Sequence, residues 1–349
     1  MNKSSQQLLF LVGGVLVFVF LFSLCNPFSR EVMILEDPQV DRFVQLEASS
    51  SVDILWVVDN SGSMASSQDN LGRNFDRFIT HFTGREAELL DFRMAVVTTD
   101  PEEGGAFVAG KILDKAQAMA DRDSFMQDFR ELVRVGTQGS GNECGLLNMA
   151  AALRRPEQRA FFRDDAILVV NILTDEPDKS MRRTGRTVLD FVEEARRFKN
   201  NRRVMINTVV DTSGYAMIRN LSRLSELFES LGGNPQNWVR PEDLDLIVAS
   251  QATGGVVADI NGDFAYTLTQ LSQRISELAQ SFALTRLADS DQRMMVFVEE
   301  EEVDPYYWRY DTLLNSIRFT DEWVPEPGSA IEVHYEAFHD ISRQEVDIQ

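Results

Sequence analysis

The sequence predicts an α/β fold: a doubly wound, mostly parallel sheet with helices on both faces, preceded by one transmembrane helix and followed by a small β-rich C-terminal appendage. Three observations predict it. Short β-branched apolar runs alternate with amphipathic segments between residues 51 and 286. A single long apolar run occupies residues 8–25. From residue 287 onward the apolar pattern changes from a helical to a strand-like period.

The N-terminal run, LLFLVGGVLVFVFLFSLC, is apolar apart from one serine. As a helix it rises roughly 27 Å, close to the hydrocarbon thickness of a bilayer. A cleaved signal has a shorter apolar core and small residues at the cut, and no A-x-A-like site follows here. A lipidated Cys25 would follow Leu24, where a small residue is expected. Residues 1–29 are therefore expected to be a retained single-pass anchor in the inner (cytoplasmic) membrane. Lys3 ahead of the run leans the N-terminus towards the cytoplasm, which leaves the bulk of the chain periplasmic or extracellular. Residues 30–50, with two prolines nearby, read as a polar connector.

Within residues 51–286 the elements follow in alternation. VDILWVV (52–58) reads as a buried strand, and residues 66–83 as a helix with Leu71, Phe75, Phe78, Ile79 and Phe82 at helical spacing. FRMAVVTT (92–99) is the next strand and AFVAGKIL (106–113) a shorter one at an edge. Helices are expected at 123–134 and 143–154, then the strand AILVVNILT (166–174) and a helix over 187–199. RVMINTVV (203–210) is a strand, followed by helices near 216–231 and 242–251, the strand GGVVADI (254–260) and a helix over 264–284. In residues 287–349, MMVFVEEEEV, YYWRYDTLLNSIRF and SAIEVHYEAF alternate as strands do, and PEPG (325–328) supplies a turn. Glu299 to Glu302 read as a solvated acidic loop.

The bulk properties exclude some functions. There are 55 acidic against 34 basic residues, a formal charge of −21, so nucleic acid is not an expected partner. Cys25 and Cys144 are too few and too far apart for a disulfide framework or a cysteine metal site.

The chemistry-bearing stretch is LWVVDNSGSM (55–64), a buried strand running into a carboxylate and two serines. Ligands of doubly wound sheets bind beyond the carboxyl ends of the strands, where the strand order reverses. TDEPD (174–178) ends its own strand in the same way, so the two acidic segments are expected at one edge. At this point the chain resembles von Willebrand factor A domains, and its longer phrasing resembles their bacterial branch. Asp59-x-Ser61-x-Ser63 looks like the family's metal-ion-dependent adhesion site, and LTDEPD like its second acidic segment, with Asp175 as the aspartate. The family's loop threonine finds its match in VGTQGSGNECGLL (135–147) at Thr137, with Ser140 and Asn142 as alternatives. Two departures stand out: Glu176 replaces the usual glycine after the second aspartate, and the threonine loop is longer and glycine-rich.

The resemblance implies a divalent cation, Mg²⁺ first, with Ca²⁺ or Mn²⁺ as alternatives. Hydroxyls, carboxylates and water are hard oxygen ligands that suit such ions. It further implies a metal-dependent, non-enzymatic protein-docking module whose partner presents an acidic residue. Two other functions compete. A metal-dependent hydrolase would want a base near the serines, but His81, His334 and His339 all lie away from the expected site. A structural subunit of a cell-envelope assembly, with the appendage as its joining surface, would leave the metal site vestigial.

Overall fold

The structure is a computed structural model that describes residues 39–45, 50–83, 90–199, 203–212, 245–289, 294–312, 314–320 and 322–337. The chain divides into Met1–Gln39 and Val40–Gln349, and the architecture below is that of the second unit. The expected anchor (8–25) and the helix expected near 216–231 lie outside the described residues. Among the described residues no helix is long and apolar enough to cross a membrane.

The principal sheet has six strands: β2 (Ser50–Val58), β3 (Leu90–Thr98), β4 (Leu113–Asp114), β5 (Ile167–Leu173), β6 (Val204–Val210) and β7 (Val257–Asp259). Their order is β4-β3-β2-β5-β6-β7, parallel throughout except for the antiparallel edge strand β4. The chain moves outward from β2 to β3 and β4, then returns to the other side of β2 as β5 and moves outward again. The order therefore reverses between β2 and β5, and their carboxyl ends frame a crevice.

The period-2 alternation of β2 assigns its residues to two cores. Val52, Ile54, Trp56 and Val58 face one core, built with α1 (Ala65–Thr83), α3 (Arg122–Val133) and α8 (Phe264–Ala279). Leu55 and Val57 face the other, built with α4 (Gly145–Arg154), α6 (Val188–Phe198) and α7 (Asp245–Ala252). Trp56 anchors the first core, its ring meeting those of Phe75, Phe78 and Phe129 edge-on at 6.5, 5.3 and 5.5 Å. At the amino end of β2, fully buried Asp53 accepts from the Arg163 guanidinium at 2.8 Å and lies 3.4 Å from Lys199. Among the described residues the remaining helices, α2 (Lys115–Ala120) and α5 (Ser180–Thr184), are short connectors.

Two elements depart from expectation for visible reasons. The stretch read as a strand over 106–113 forms a single 3₁₀ turn at Val108–Gly110, and only Leu113 and Asp114 pair with β3. Ala109 and Gly110 have φ of 53° and 60°, which breaks the pleat, while Phe107 is drawn off to pack on Phe161 at 5.1 Å. The helix expected to run to residue 284 ends at Ala279, where Arg203 and the Ser281 hydroxyl both donate to the Leu278 carbonyl. Phe282 and Ala283 already pair as a strand.

The appendage is β-rich, as its alternation predicts. One sheet has the order β1-β13-β9-β10, from β1 (Gln39–Val44), β9 (Met295–Val298), β10 (Glu301–Glu302) and β13 (Ala330–Tyr335). The other has the order β11-β12-β8, from β8 (Phe282–Ala283), β11 (Trp308–Asp311) and β12 (Ser316–Phe319). They share a core of Val296, Trp308, Ile317, Ile331, Val333 and Tyr335. Residues 39–44, inside the stretch read as connector, thus join this sheet; buried Asp41 fastens them by accepting from the Thr285 and Tyr335 hydroxyls at 2.6 and 2.8 Å. Glu299 and Glu300 form the two-residue turn between β9 and β10, both at positive φ.

Candidate functional site

The crevice between β2 and β5 gathers four of the five residues expected there. Asp59, fully buried, follows β2 directly, and its Oδ1 accepts from the Ser61 amide at 2.7 Å. That bond curls the chain so that the Ser61 and Ser63 hydroxyls stand 3.4 Å apart. Asp175, just beyond β5, accepts from the Ser63 hydroxyl at 3.1 Å. The set grades from buried Asp59 to exposed Ser63, so it opens to solvent on one side.

Thr137 is placed beside this set but not joined to it. Its loop is pinned on both flanks: the Gly139 amide donates to the Asn60 carbonyl at 2.9 Å, and the Gln68 side chain donates to the Gly136 carbonyl at 2.8 Å. A Cβ at Gly139 would stand 2.1 Å from Asn60 Oδ1, so a larger residue there would have to displace the Asn60 side chain. No hydrogen bond links Thr137 to Asp59, Ser61, Ser63 or Asp175. Of the alternatives, the Ser140 hydroxyl accepts from the Asn142 amide at 3.1 Å within its own loop. Asp100 behaves as a turn residue that also braces this loop, accepting from the Glu102 and Ser140 amides, both at 2.9 Å.

Several residues that hold the site escaped the sequence reading. The Thr174 hydroxyl donates to Asp59 Oδ2 at 2.6 Å, and Gln68 on α1 donates to the Asp59 carbonyl at 2.8 Å. Asn148 on α4 donates to the carbonyls of Thr98 and Asp100, both at 2.7 Å, and so fixes the end of β3. Asp178 and Ser180 accept from the Leu146 and Leu147 amides at 3.1 and 2.9 Å. They cap α4 from the loop after β5, since Cys144 offers no side-chain cap. Glu143, fully buried, is hydrogen-bonded to the Thr99 hydroxyl. Only Thr174 carried a signal, as a hydroxyl residue at a strand end beside an aspartate.

The electrostatics of this edge are one-sided. Burial pushes the Asp59 carboxyl above its ordinary range, against the hydrogen bonds from Thr174 and Ser61. Burial likewise pushes Glu143 up to about 8, only partly offset by Thr99 and worsened by the charges of Asp59 and Asp100. Among the described residues no basic side chain lies within ion-pair distance of Asp59, Asp100, Glu143 or Asp175. Asn60 Oδ1 and Glu143 Oε1 are buried with no hydrogen-bond partner. Lys179 is the nearest cation, and its ammonium is taken by the Gly141 carbonyl, so these acceptors fit a further positively charged occupant. No three His, Cys, Asp or Glu side chains among the described residues are grouped to hold an ion, so the serine hydroxyls are an essential part of any such donor set. Cys144 is buried, its thiol pushed up to about 11, and offers no soft ligand.

No protein-family model matches the chain, and no curated protein matches it. Among solved structures it is similar to the pilus adhesin SpaC of Lactobacillus rhamnosus GG, at 11% identity over 85% of this chain and 41% of that one, with a TM-score of 0.41. It is similar to proximal thread matrix protein 1 of the mussel byssus with a zinc-occupied MIDAS motif, at 11% identity over 70% and 52%, with a TM-score of 0.36. It is also similar to the manganese-loaded TRAP protein of Plasmodium vivax, at 15% identity over 68% and 78%, with a TM-score of 0.34. The chain spans about half or less of the first two. A likeness at this level carries no argument about what the chain does, which rests on the geometry of its own residues.

Proposed function

We propose that the chain is a membrane-anchored docking module that binds one divalent cation at the β2–β5 crevice and, through it, an acidic residue of a partner protein. The observation that carries this reading is the convergence of Asp59, Ser61, Ser63 and Asp175 at the reversal of strand order, with no basic side chain among the described residues within ion-pair distance of either aspartate. Ser61, Ser63 and a residue of the 137–142 loop would hold the ion directly. Asp59 and Asp175 would hold it through water, orienting the hydroxyls and supplying charge. A bound cation supplies an electrophilic position that accepts a carboxylate. The hydroxyls act as ligands rather than nucleophiles: Ser63 donates to Asp175, and His334, the histidine whose side chain is described, pairs with Glu332 in the appendage. The module is therefore proposed as non-enzymatic, with Mg²⁺ as the expected ion and residues 8–25 as the anchor.

The chain's charge of −21 repels an acidic partner unless a cation bridges them. A pull-down from membranes in Mg²⁺, in chelator and in raised NaCl tests this. Chelator should release the partner and Ser63→Ala should weaken its retention, while moderate salt matters less because screening acts mainly on long-range charge. Equal retention in all three conditions overturns metal-dependent docking and favours a structural subunit.

A further inference from the structure

A second polar site lies where the six-stranded body meets the appendage. There a cavity of about 410 Å³ is lined by Gly254 ahead of β7, Arg274 and Glu277 of α8, and Arg309, Ser316 and Arg318 of the β11–β12 pair. Its volume lies in the range of small-ligand sites. Arg309 and Arg318 are direct cross-strand partners and both line this cavity. Like charges facing each other across an antiparallel pair destabilise it unless something compensates them.

The two carboxylates that line the cavity, Asp311 and Glu277, are held chiefly by Arg274. Asp311 lies 2.6 Å from Arg274, and Glu277 Oε2 lies 3.1 Å from the same guanidinium. Arg318 reaches Glu277 Oε1 only at 3.7 Å. Arg309 turns one nitrogen to the carbonyls of Pro305, Tyr306 and Trp308, and among the described residues no carboxylate stands within ion-pair distance of it. Ser316 lies two residues before Arg318 and so shares its face; its hydroxyl is fully buried with no hydrogen-bond partner. Gly254, at φ +66°, keeps the wall open: a Cβ there would stand 2.7 Å from the Leu314 side chain.

We propose that this cavity binds a small ligand through a compact oxyanion group, phosphate or carboxylate, seated between Arg309 and Arg318 and hydrogen-bonded by Ser316. Two guanidinium groups present paired N–H donors that match such oxygens. The site stands apart from the β2–β5 crevice and depends on no metal. Calorimetric titration of the full-length protein in detergent tests it, with inorganic phosphate and succinate as probes and glycerol as the uncharged control. Saturable binding of either anion is expected in the wild type and in Ser63→Ala, at least tenfold weaker in Arg309→Gln and Arg318→Gln, with none for glycerol. The anion that binds more tightly identifies the headgroup. Thermal melting separates binding from misfolding: in anion-free buffer each arginine variant should still unfold in one cooperative transition. Added anion should raise melting more in the wild type. No saturable binding of either anion, or equal affinity in the wild type and both arginine variants, overturns the proposal.

Discussion

The Thr174 hydroxyl donates to Asp59 Oδ2 at 2.6 Å, while the Asp59 amide donates to the Leu173 carbonyl at 3.0 Å. Two residues 115 positions apart thus lock the ends of neighbouring strands and fix the one buried carboxylate of the DxSxS turn in place. A third bond leaves the Thr174 oxygen to accept from the Glu176 amide at 3.1 Å, which sets the direction of the Asp175 loop.

Thr174→Val keeps the shape of the side chain and removes that donor. Mg²⁺ affinity measured by calorimetry should fall about 10- to 100-fold, the usual cost of losing a residue that orients a ligand. Asp59→Ala should abolish binding while the sheet survives, since the two cores flanking β2 carry its stability. Unchanged affinity in both variants would remove the ion from this crevice.

Glu143 predicts a pH dependence of stability. Its folded carboxyl is raised to about 8 from an ordinary value of 4.5, so the folded state holds the proton more tightly than the unfolded chain. This contribution is complete below about 4.5 and is lost as pH rises through about 8. Wild-type stability without added ion should fall across that window by on the order of 2 kcal/mol more than in Glu143→Gln. Denaturant titrations at pH 5 and pH 8.5 that show parallel losses would contradict it.

Gln68 ties two loops with one amide, donating to the Asp59 and Gly136 carbonyls, both at 2.8 Å. Gln68→Leu leaves both carbonyls without that donor and should cost about 1–3 kcal/mol of stability. It should also weaken the ion, because the turn and the threonine loop would no longer share a brace. An affinity equal to wild type would show that the loop at 137–142 does not contribute.

Asp53 offers the control at the opposite end of the sheet. Asp53→Ala strands the Lys199 amine, whose side chain is 1% exposed, and should destabilise the fold by about 3–5 kcal/mol. The folded fraction should bind Mg²⁺ as wild type does. Loss of ion binding at temperatures where the variant is folded would mean that the two ends of β2 are coupled.

The anchor is tested by mass spectrometry of the mature chain extracted from membranes. The expected N-terminus precedes residue 8, with residues 30–349 accessible from outside the cytoplasm. A chain starting near residue 26, or a diacylated Cys25, contradicts it.

Strand ends were the legible part of this molecule. VDILWVV and AILVVNILT are long enough, and apolar enough on both faces, to read as buried parallel strands, so the residues following each had to share an edge. That placed Asp59, Ser61, Ser63 and Asp175 together without any long-range information. Gln68, Glu143 and Asn148 were not legible, because each acts across 9 to 68 positions of sequence and nothing local distinguishes a bracing side chain from a solvated one. The strand over residues 39–44 was hidden for a related reason: QVDRFV carries an aspartate and an arginine, and only the distant Thr285 and Tyr335 explain the buried acid. The shortened helix at Ala279 depends on Arg203, 75 positions away, taking the Leu278 carbonyl.

The neighbouring of β1 and β13 has a practical consequence for dissecting the protein. The first and last described strands are shelved side by side, so a fragment starting at residue 50 would keep β13 while losing the strand that shields its flank. The uncovered backbone of Ala330–Tyr335 would be a row of unpaired amides and carbonyls, inviting the same edge of another molecule. Precipitates or artificial dimers of such a fragment would then report a missing selvedge rather than a natural assembly. Clean excision needs both margins kept, from Gln39 or earlier through at least Tyr335, or both removed.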